Sequence, residues 1–379
     1  MKIDLSAVDA VMNDAITHRC PAAQLAIRLH GEVIGARAYG WLDPETRQQP
    51  TELETRFDLA SVTKLFVVTA FMTLVDAGVV TLDQPVYTVL PAFTGLRPIQ
   101  PYENPLQVGD LVQVADGGGT IDARIITFRH LLTHTAGLPA WRPLFRQPDA
   151  AAARQMALST FFSYPTGARI IYSDIGLILL GMAVEQLTGL ALGDAVRQRV
   201  TDPLGLHDTH YLPLGDLQID QMNVAPTEFC QWRQRRIVGE VHDENAARLG
   251  GVAGHAGLFS TATDVATFGQ LFLNSGQPLL HAATVQAMTR LHAQDGDIQR
   301  GLGFALWSPD PEASSNPFSQ RAFGHTGFTG TTLWIDPVRE LVVALLTNDV
   351  YYGRAGREIG ALRVALHRTV VAIVDQLAV

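Results

Sequence analysis

Polar and apolar positions recur along this chain with two distinct periods, and those periods predict its elements. Residues 4–18 set Asp4, Asp9 and Asp14 among apolar neighbours, the pattern of an amphipathic helix. Ala23–Leu29 and Val33–Tyr39 alternate as strands do and flank His30-Gly31-Glu32, a hairpin turn. Residues 59–77 are apolar nearly all round, which predicts a buried helix with Gly78 as its stop. Residues 91–124 are rich in Pro, Gly and polar types and include Gly117-Gly118-Gly119, an insertion or mobile loop. Helical spacing dominates the middle, over 127–134, 150–163, 174–188, 191–201 and 263–275. Thr331–Ile335 and Leu341–Thr347 read as strands joined by an Asp336-Pro337 turn, and a last helix covers 354–377.

Strands at both ends with helices between them imply an α+β, two-part fold. An antiparallel sheet built from both termini and flanked by helices takes residues 1–85 and 291–379, and an inserted mainly helical region takes 86–290, with a cleft between the two. Composition agrees with a globular chain: of 379 residues, 47% are hydrophobic and 17% charged. A formal net charge of −9 without any basic tract argues against nucleic acid as a partner. Leu65–Val75 and Ile175–Val184 are the most apolar stretches and are too short to span a bilayer, so no membrane association is expected. The N-terminal stretch lacks the apolar core of a signal peptide, which points to a cytoplasmic protein. The two cysteines, Cys20 and Cys230, fit either one disulfide or two free thiols. No H-E-x-x-H or Cys/His cluster occurs, so neither metal nor cofactor is expected. His130 and His134 have the spacing of a zinc pair, against the reading that His130 is solvated and His134 packs near the cleft.

Three motifs carry chemistry. Ser61-Val62-Thr63-Lys64 places a hydroxyl and an amine on one helix face, at i and i+3. The buried helix behind it forces Lys64 toward the core, where an ammonium needs a partner or a lowered pKa. With a lowered pKa it could take the serine proton, and the helix N-terminus favours negative charge near Ser61. Tyr172-Ser173-Asp174 precedes a second apolar helix. A nearby Lys64 would favour the Tyr172 phenolate over its ordinary pKa of about 10. Ser173 or Asp174 would cap that helix. Finally, Gly324-His325-Thr326-Gly327-Phe328-Thr329-Gly330 leads into a strand, and its glycines allow a ligand close to the backbone. An edge strand there would offer a free N–H to an oxyanion, with His325 and Thr326 flanking the acyl group. A tight turn with a surface histidine is the alternative.

Taken in order, these motifs resemble the serine β-lactamase and penicillin-binding-protein superfamily. The second motif is similar to the Tyr-x-Asn of class C β-lactamases, D-alanyl-peptidases and related esterases. Phe57–Lys64, Ile126–Pro139 and Pro203–Leu206 extend the resemblance over roughly residues 20–350. A narrower likeness, in Ala225–Glu228, Gly239–Ala246 and Gly250–Thr261, is to a subgroup that includes bacterial N-acetylmuramyl-L-alanine amidases. The resemblance implies a β-lactamase/transpeptidase-like fold with Ser61 as acyl-accepting nucleophile and Lys64 and Tyr172 sharing the general-base role. It gives the oxyanion hole to the backbone N–H groups of Ser61 and Phe328. It puts His325, Thr326, Gly327 and Phe328 against substrate, and His255 and Asn245 along the cleft, with a purely structural His255 as the alternative.

Two departures shape the expected chemistry. His325 stands where the family has lysine; a histidine is mostly neutral at pH 7, so carboxylate-bearing β-lactams should be poor substrates. Asp174 stands where the family has asparagine. Pointing inward, it would hold Lys64 charged and make Tyr172 the base; pointing to the helix end, it would be a cap. The expected function is a serine hydrolase cleaving an ester or amide, on a small-molecule or peptidoglycan-fragment substrate. An amidase or peptidase of cell-wall fragments leads, ahead of a carboxylesterase of short acyl chains and a catalytically silent scaffold.

Overall fold

Leu341–Thr347 is buried along its whole length because its alternate side chains face two different cores. The computed structural model describes residues 3–105, 107, 109–114, 118–214, 223–355 and 357–377. Two N-terminal strands, β1 (Ala22–Leu29) and β2 (Glu32–Gly40), join six C-terminal ones. These are β3 (Ala293–Asp295), β4 (Ile298–Arg300), β5 (Ala305–Leu306), β6 (Phe323–Thr326), β7 (Thr332–Asp336) and β8 (Leu341–Thr347). They form one antiparallel sheet in the order β3-β4-β5-β6-β7-β8-β1-β2, so the two ends of the chain meet where β1 pairs with β8.

On one face, Leu341, Val343 and Leu345 of β8 pack with Leu25 and Ile27 of β1. Helices α1 (Ser6–His18) and α5 (Ile359–Leu377) cover them. On the other face, Val342, Ala344 and Leu346 join a larger core with helices α2 (Thr63–Asp76), α3 (Asp174–Thr188) and α4 (Ala262–Leu273). A strand buried on both faces reads as a continuous apolar run rather than an alternation. The stretch between β2 and β3 is mainly helical, although α4 from within it packs on β1, β7 and β8 while α2 packs on α3.

Several sequence expectations shift in the structure. The helix expected from 59 starts with a 3-10 turn, Ala60–Val62, before α2 begins at Thr63. The 91–124 stretch is not a bare loop: Leu96–Pro98 pairs with Thr120–Asp122, and Tyr102–Glu103 with Leu111–Val112. Gly117 lies outside the described residues. The last helix begins only at Ile359, after a 3-10 turn at Asp349–Tyr352. A small sheet pairing Leu258–Ser260 with both Phe57–Asp58 and His210–Tyr211 escaped the pattern, because strands of two or three residues show no period. Cys20 and Cys230 are both buried free thiols. Among the described residues, no single helix is long and apolar enough to cross a membrane.

Candidate active site

The chain must turn sharply between strand Phe57–Asp58 and α2, and the turn is made at Ala60 with φ +45°. A left-handed alanine is strained by about 1–2 kcal/mol. The buried Asp58 carboxylate holds it there: Oδ1 accepts from Ala60 N at 2.7 Å and Oδ2 from His242 N at 2.6 Å. Burial raises the pKa of this carboxyl to about 6, against those two bonds. Ser61 follows on the 3-10 turn and opens onto a cavity of about 450 Å3 that Tyr172, Arg300, His325, Thr326, Gly327 and Phe328 also line. A larger groove, of about 950 Å3, lies between the C-terminal end of α4, the helix Ala282–Thr289 and the ends of β5 and β6, and contains none of these residues.

The position of Lys64 follows from the helix it opens. Its side chain is 1% exposed, and three oxygens surround its Nζ. Ser61 Oγ lies at 2.7 Å and the His255 carbonyl at 3.1 Å. Asp174 Oδ1 makes an ion pair at 2.8 Å, short in distance but off the line of a full hydrogen bond. Asp174 therefore points inward, and the cap of α3 is Ser173, whose Oγ accepts from Gly176 N and donates to the Pro139 carbonyl. Burial alone would lower the Lys64 pKa, but the Asp174 carboxylate leads the interactions that outweigh it, and the net direction is up. The site takes the paired-ammonium branch, not the lowered-pKa one.

Tyr172 is held at the same point from four sides. Its ring centroid is 4.8 Å from the Lys64 Nζ, 5.4 Å from the Arg300 guanidinium, 4.8 Å from the His134 ring and 5.7 Å from the His325 ring. The hydroxyl is buried without a well-formed hydrogen bond, yet Lys64 and Ser61 are close enough to act on its ionisation. Burial raises its pKa, Lys64 opposes, Asp174 adds to the rise, and the phenol wins at rest. This corrects the expectation of a favoured phenolate, which weighed Lys64 without the burial. His134, with φ +58°, accepts from Ser173 N through Nδ1 at 3.1 Å, so it packs beside the cleft as a fixed neutral ring. His130 is half-buried in the cap of its own short helix. Among the described residues, no group of three or more His, Cys, Asp or Glu side chains could hold a metal ion.

The third motif is not on an edge strand, as expected: β6 lies between β5 and β7. But β5 has only two residues and pairs only with Phe323 and Gly324, leaving the chain beyond them unpaired on that side. The turn from Gly327 to Thr331 is tied to the Ser61 segment instead. Thr329 Oγ1 donates to the Asp58 carbonyl and Thr331 Oγ1 to the Leu59 carbonyl, each at 2.8 Å. A Cβ on Gly327 would sit 2.0 Å from Thr331 Oγ1 and 2.6 Å from the Leu59 carbonyl, so only glycine fits. Among the described residues, neither the Ser61 nor the Phe328 backbone N–H meets a protein acceptor. His325 donates from Nδ1 to the Thr326 carbonyl at 2.7 Å, which leaves Nε2 an acceptor without a partner among the described residues. Burial, then Lys64 and Arg300, push its pKa well down, so the ring is neutral.

Two expected substrate contacts lie elsewhere. Asn245 is buried away from the cavity, where Oδ1 accepts from Phe145 N and Nδ2 donates to the Arg142 carbonyl. His255 reaches the site only through its carbonyl; its ring Nε2 pairs with Asp243 at 2.9 Å. Asp58, Thr329, Thr331, Arg300, Arg357 and Arg363 were not singled out as site residues in the sequence; apart from the Asp58–Ala60 bond, each reaches the site through a neighbour distant in the chain.

Comparison with known proteins gives a consistent picture. Residues 7–367 match the Beta-lactamase family. The chain is 34% identical to an N-acetylmuramyl-L-alanine amidase of Bacillus subtilis (strain 168), over 91% of this chain and 80% of that protein. It is 29% identical to a putative D-alanyl-D-alanine carboxypeptidase of Escherichia coli (strain K12), over 91% and 82%. Among solved structures, EstCE1, a hydrolase with promiscuous acyltransferase activity, superposes with a TM-score of 0.72 at 23% identity, covering 96% and 98% of the two chains.

Proposed function

This chain belongs to the Beta-lactamase family of serine hydrolases, and from that premise we propose that it is an amidase or peptidase of cell-wall fragments acting through an acyl-enzyme on Ser61. The observation that carries the reading is the contact of Lys64 Nζ with Ser61 Oγ, with Asp174 pairing the same ammonium. The substrate class rests on the relative that is named for cleaving N-acetylmuramyl-L-alanine.

The charges dictate how the protons move. Lys64, held as an ammonium, donates to Ser61 Oγ and is not itself the base. Tyr172 is the base once ionised, with the Lys64 charge steadying its phenolate. As Oγ attacks the carbonyl carbon, the serine proton passes to Tyr172 and the carbonyl oxygen takes the negative charge. The N–H groups of Ser61 and Phe328 receive that oxyanion. Tyr172 then returns the proton to the leaving group as its bond breaks. Water repeats the sequence in reverse roles and frees Ser61. The Asp58, Thr329 and Thr331 bonds keep the two N–H groups at a fixed separation.

The test is turnover of a short-chain p-nitrophenyl ester by the wild type and by Ser61→Ala. Loss of turnover and of phosphonate labelling in the variant is expected; a Ser61→Ala protein that still releases nitrophenol sinks the assignment. Muramyl peptides compared with plain esters then separate amidase from carboxylesterase by kcat/KM.

A further inference from the structure

The turn from Gly327 to Thr331 offers three of its carbonyls to guanidinium groups. Arg363, near the start of α5 and buried, donates from Nη2 to the Gly327 and Thr331 carbonyls, each at 2.8 Å. Arg357, just before α5, donates from Nη2 to the Phe328 carbonyl and pairs through Nε with Asp349. Backbone bonds close the turn: Gly327 N donates to the Thr331 carbonyl at 2.7 Å, and Gly330 N to the Gly327 carbonyl at 3.1 Å. Burial lowers the Arg363 pKa to about 10, with Arg357 adding to the fall and Asp349 opposing it, so the group is a cation at neutral pH.

A trans peptide is planar, so its C=O and its N–H point opposite ways. The Gly327 carbonyl faces Arg363, and the N–H of the same peptide, that of Phe328, is therefore directed away from Arg363. Phe328 lines the cavity beside Ser61, and its N–H meets no protein acceptor among the described residues. Holding the carbonyl thus aims the N–H. The bond from Gly330 to that carbonyl is neutral and longer, whereas a charge-assisted bond is about twice as strong as a neutral one. A cation on the carbonyl oxygen also polarises the peptide and makes its N–H a stronger donor.

We propose that Arg363 is a positioning residue for the oxyanion: by gripping the Gly327 carbonyl it aims the Phe328 N–H and strengthens it as a donor. This rests on the acyl-transfer reading above. Arg363 acts through the Gly327–Phe328 peptide and needs no contact with substrate. Its second bond, to the Thr331 carbonyl, ties that peptide to the residue whose Oγ1 is fastened to the Leu59 carbonyl. The Phe328 N–H and the Ser61 segment thereby share one frame.

The experiment compares p-nitrophenyl acetate with its thiono counterpart, in which sulfur replaces the carbonyl oxygen. Sulfur accepts hydrogen bonds weakly, so N–H donors aimed at the oxyanion favour the oxygen ester. Neither ester carries an anionic group that Arg363 could bind directly. With each kcat/KM divided by the ester's rate with hydroxide, wild type should prefer the oxygen ester by about a hundredfold. Arg363→Gln should cut that preference by about tenfold or more. Arg363→Lys keeps the cation on a shorter side chain and should fall between the two. A wild-type preference near one, or an Arg363→Gln that slows both esters in proportion, overturns the proposal. Where Arg363→Gln does not fold, Arg363→Lys carries the test, and an unchanged preference in it is the overturning result. Phosphonate labelling of Ser61 reports separately on the nucleophile. Should labelling and turnover both fail in the wild type, the acyl-transfer reading falls and the Phe328 amide still decides on Arg363. In protein made with isotopically labelled phenylalanine, the Phe328 amide resonance should move in the Arg363 variants; a resonance at its wild-type position rejects the grip on the Gly327 carbonyl.

Discussion

At the residue scale, the charge of Asp174 acts on both ionisable partners of Ser61. Its charge raises the pKa of both Lys64 and Tyr172. Asp174→Asn removes that charge, so both values fall and the alkaline rise of kcat/KM should move to lower pH, by about one unit or more. A pH profile checks this; an unmoved or alkaline-shifted limb contradicts the role of Tyr172 as base. Stability carries the opposite sign. The folded Lys64 pKa lies above its unfolded value of about 10.4, so the pair stabilises fully below that pH and the contribution is lost as pH rises through the folded value. Asp174→Ala leaves the ammonium buried and unpaired, and should cost about 3 kcal/mol in urea unfolding at neutral pH. This pairing was legible as one of two options for Asp174. The sequence could not choose, because either orientation satisfies a residue at a helix start.

At the scale of elements, the site depends on how two helix starts and one turn are fixed. Ser173 is the cap of α3 and also grips the Pro139 carbonyl at 2.6 Å. Ser173→Ala should cost about 1–2 kcal/mol and, by loosening the start of α3, lower kcat/KM. Urea titration and ester kinetics on the same sample measure both. The turn after β6 has no room for a methyl group at Gly327. Gly327→Ala should cost about 1–3 kcal/mol and should largely abolish turnover, because the clash pushes the turn away from Leu59 and spreads the two N–H groups proposed to receive the oxyanion. Glycine at this turn could be read from the motif, but its reason could not. The neighbours that forbid a Cβ, Thr331 and Leu59, become neighbours only when β6–β7 docks on the Ser61 segment.

At the scale of the molecule, the sheet divides two cores, and α2, which carries Lys64, belongs to one of them. Met12 of α1 is fully buried in the other, beneath α5. Met12→Ala should destabilise by about 2–5 kcal/mol. Ester turnover per folded molecule at 25 °C should stay within about twofold, since the change lies across the sheet from Ser61. A parallel loss of kcat/KM and stability would show instead that α1 and α5 hold the site in shape.

The periods of the chain determined the α+β architecture, the sheet drawn from both termini and the long buried helices, since each face of these elements must meet an apolar partner. The spacing of Ser61 and Lys64 determined that hydroxyl and amine share one helix face, a local fact of the 3.6-residue turn. Tertiary structure alone decided the charge states. Whether Lys64 is an ammonium, Tyr172 a phenol and His325 a neutral ring depends on burial and on charges brought in from distant positions such as Asp174 and Arg300. It also decided that Asn245 and the His255 ring turn away from the cavity while Arg300 and Arg363 line it. Local sequence fixes which groups a segment carries, but a side chain's electrostatic environment is the sum over everything the fold packs around it.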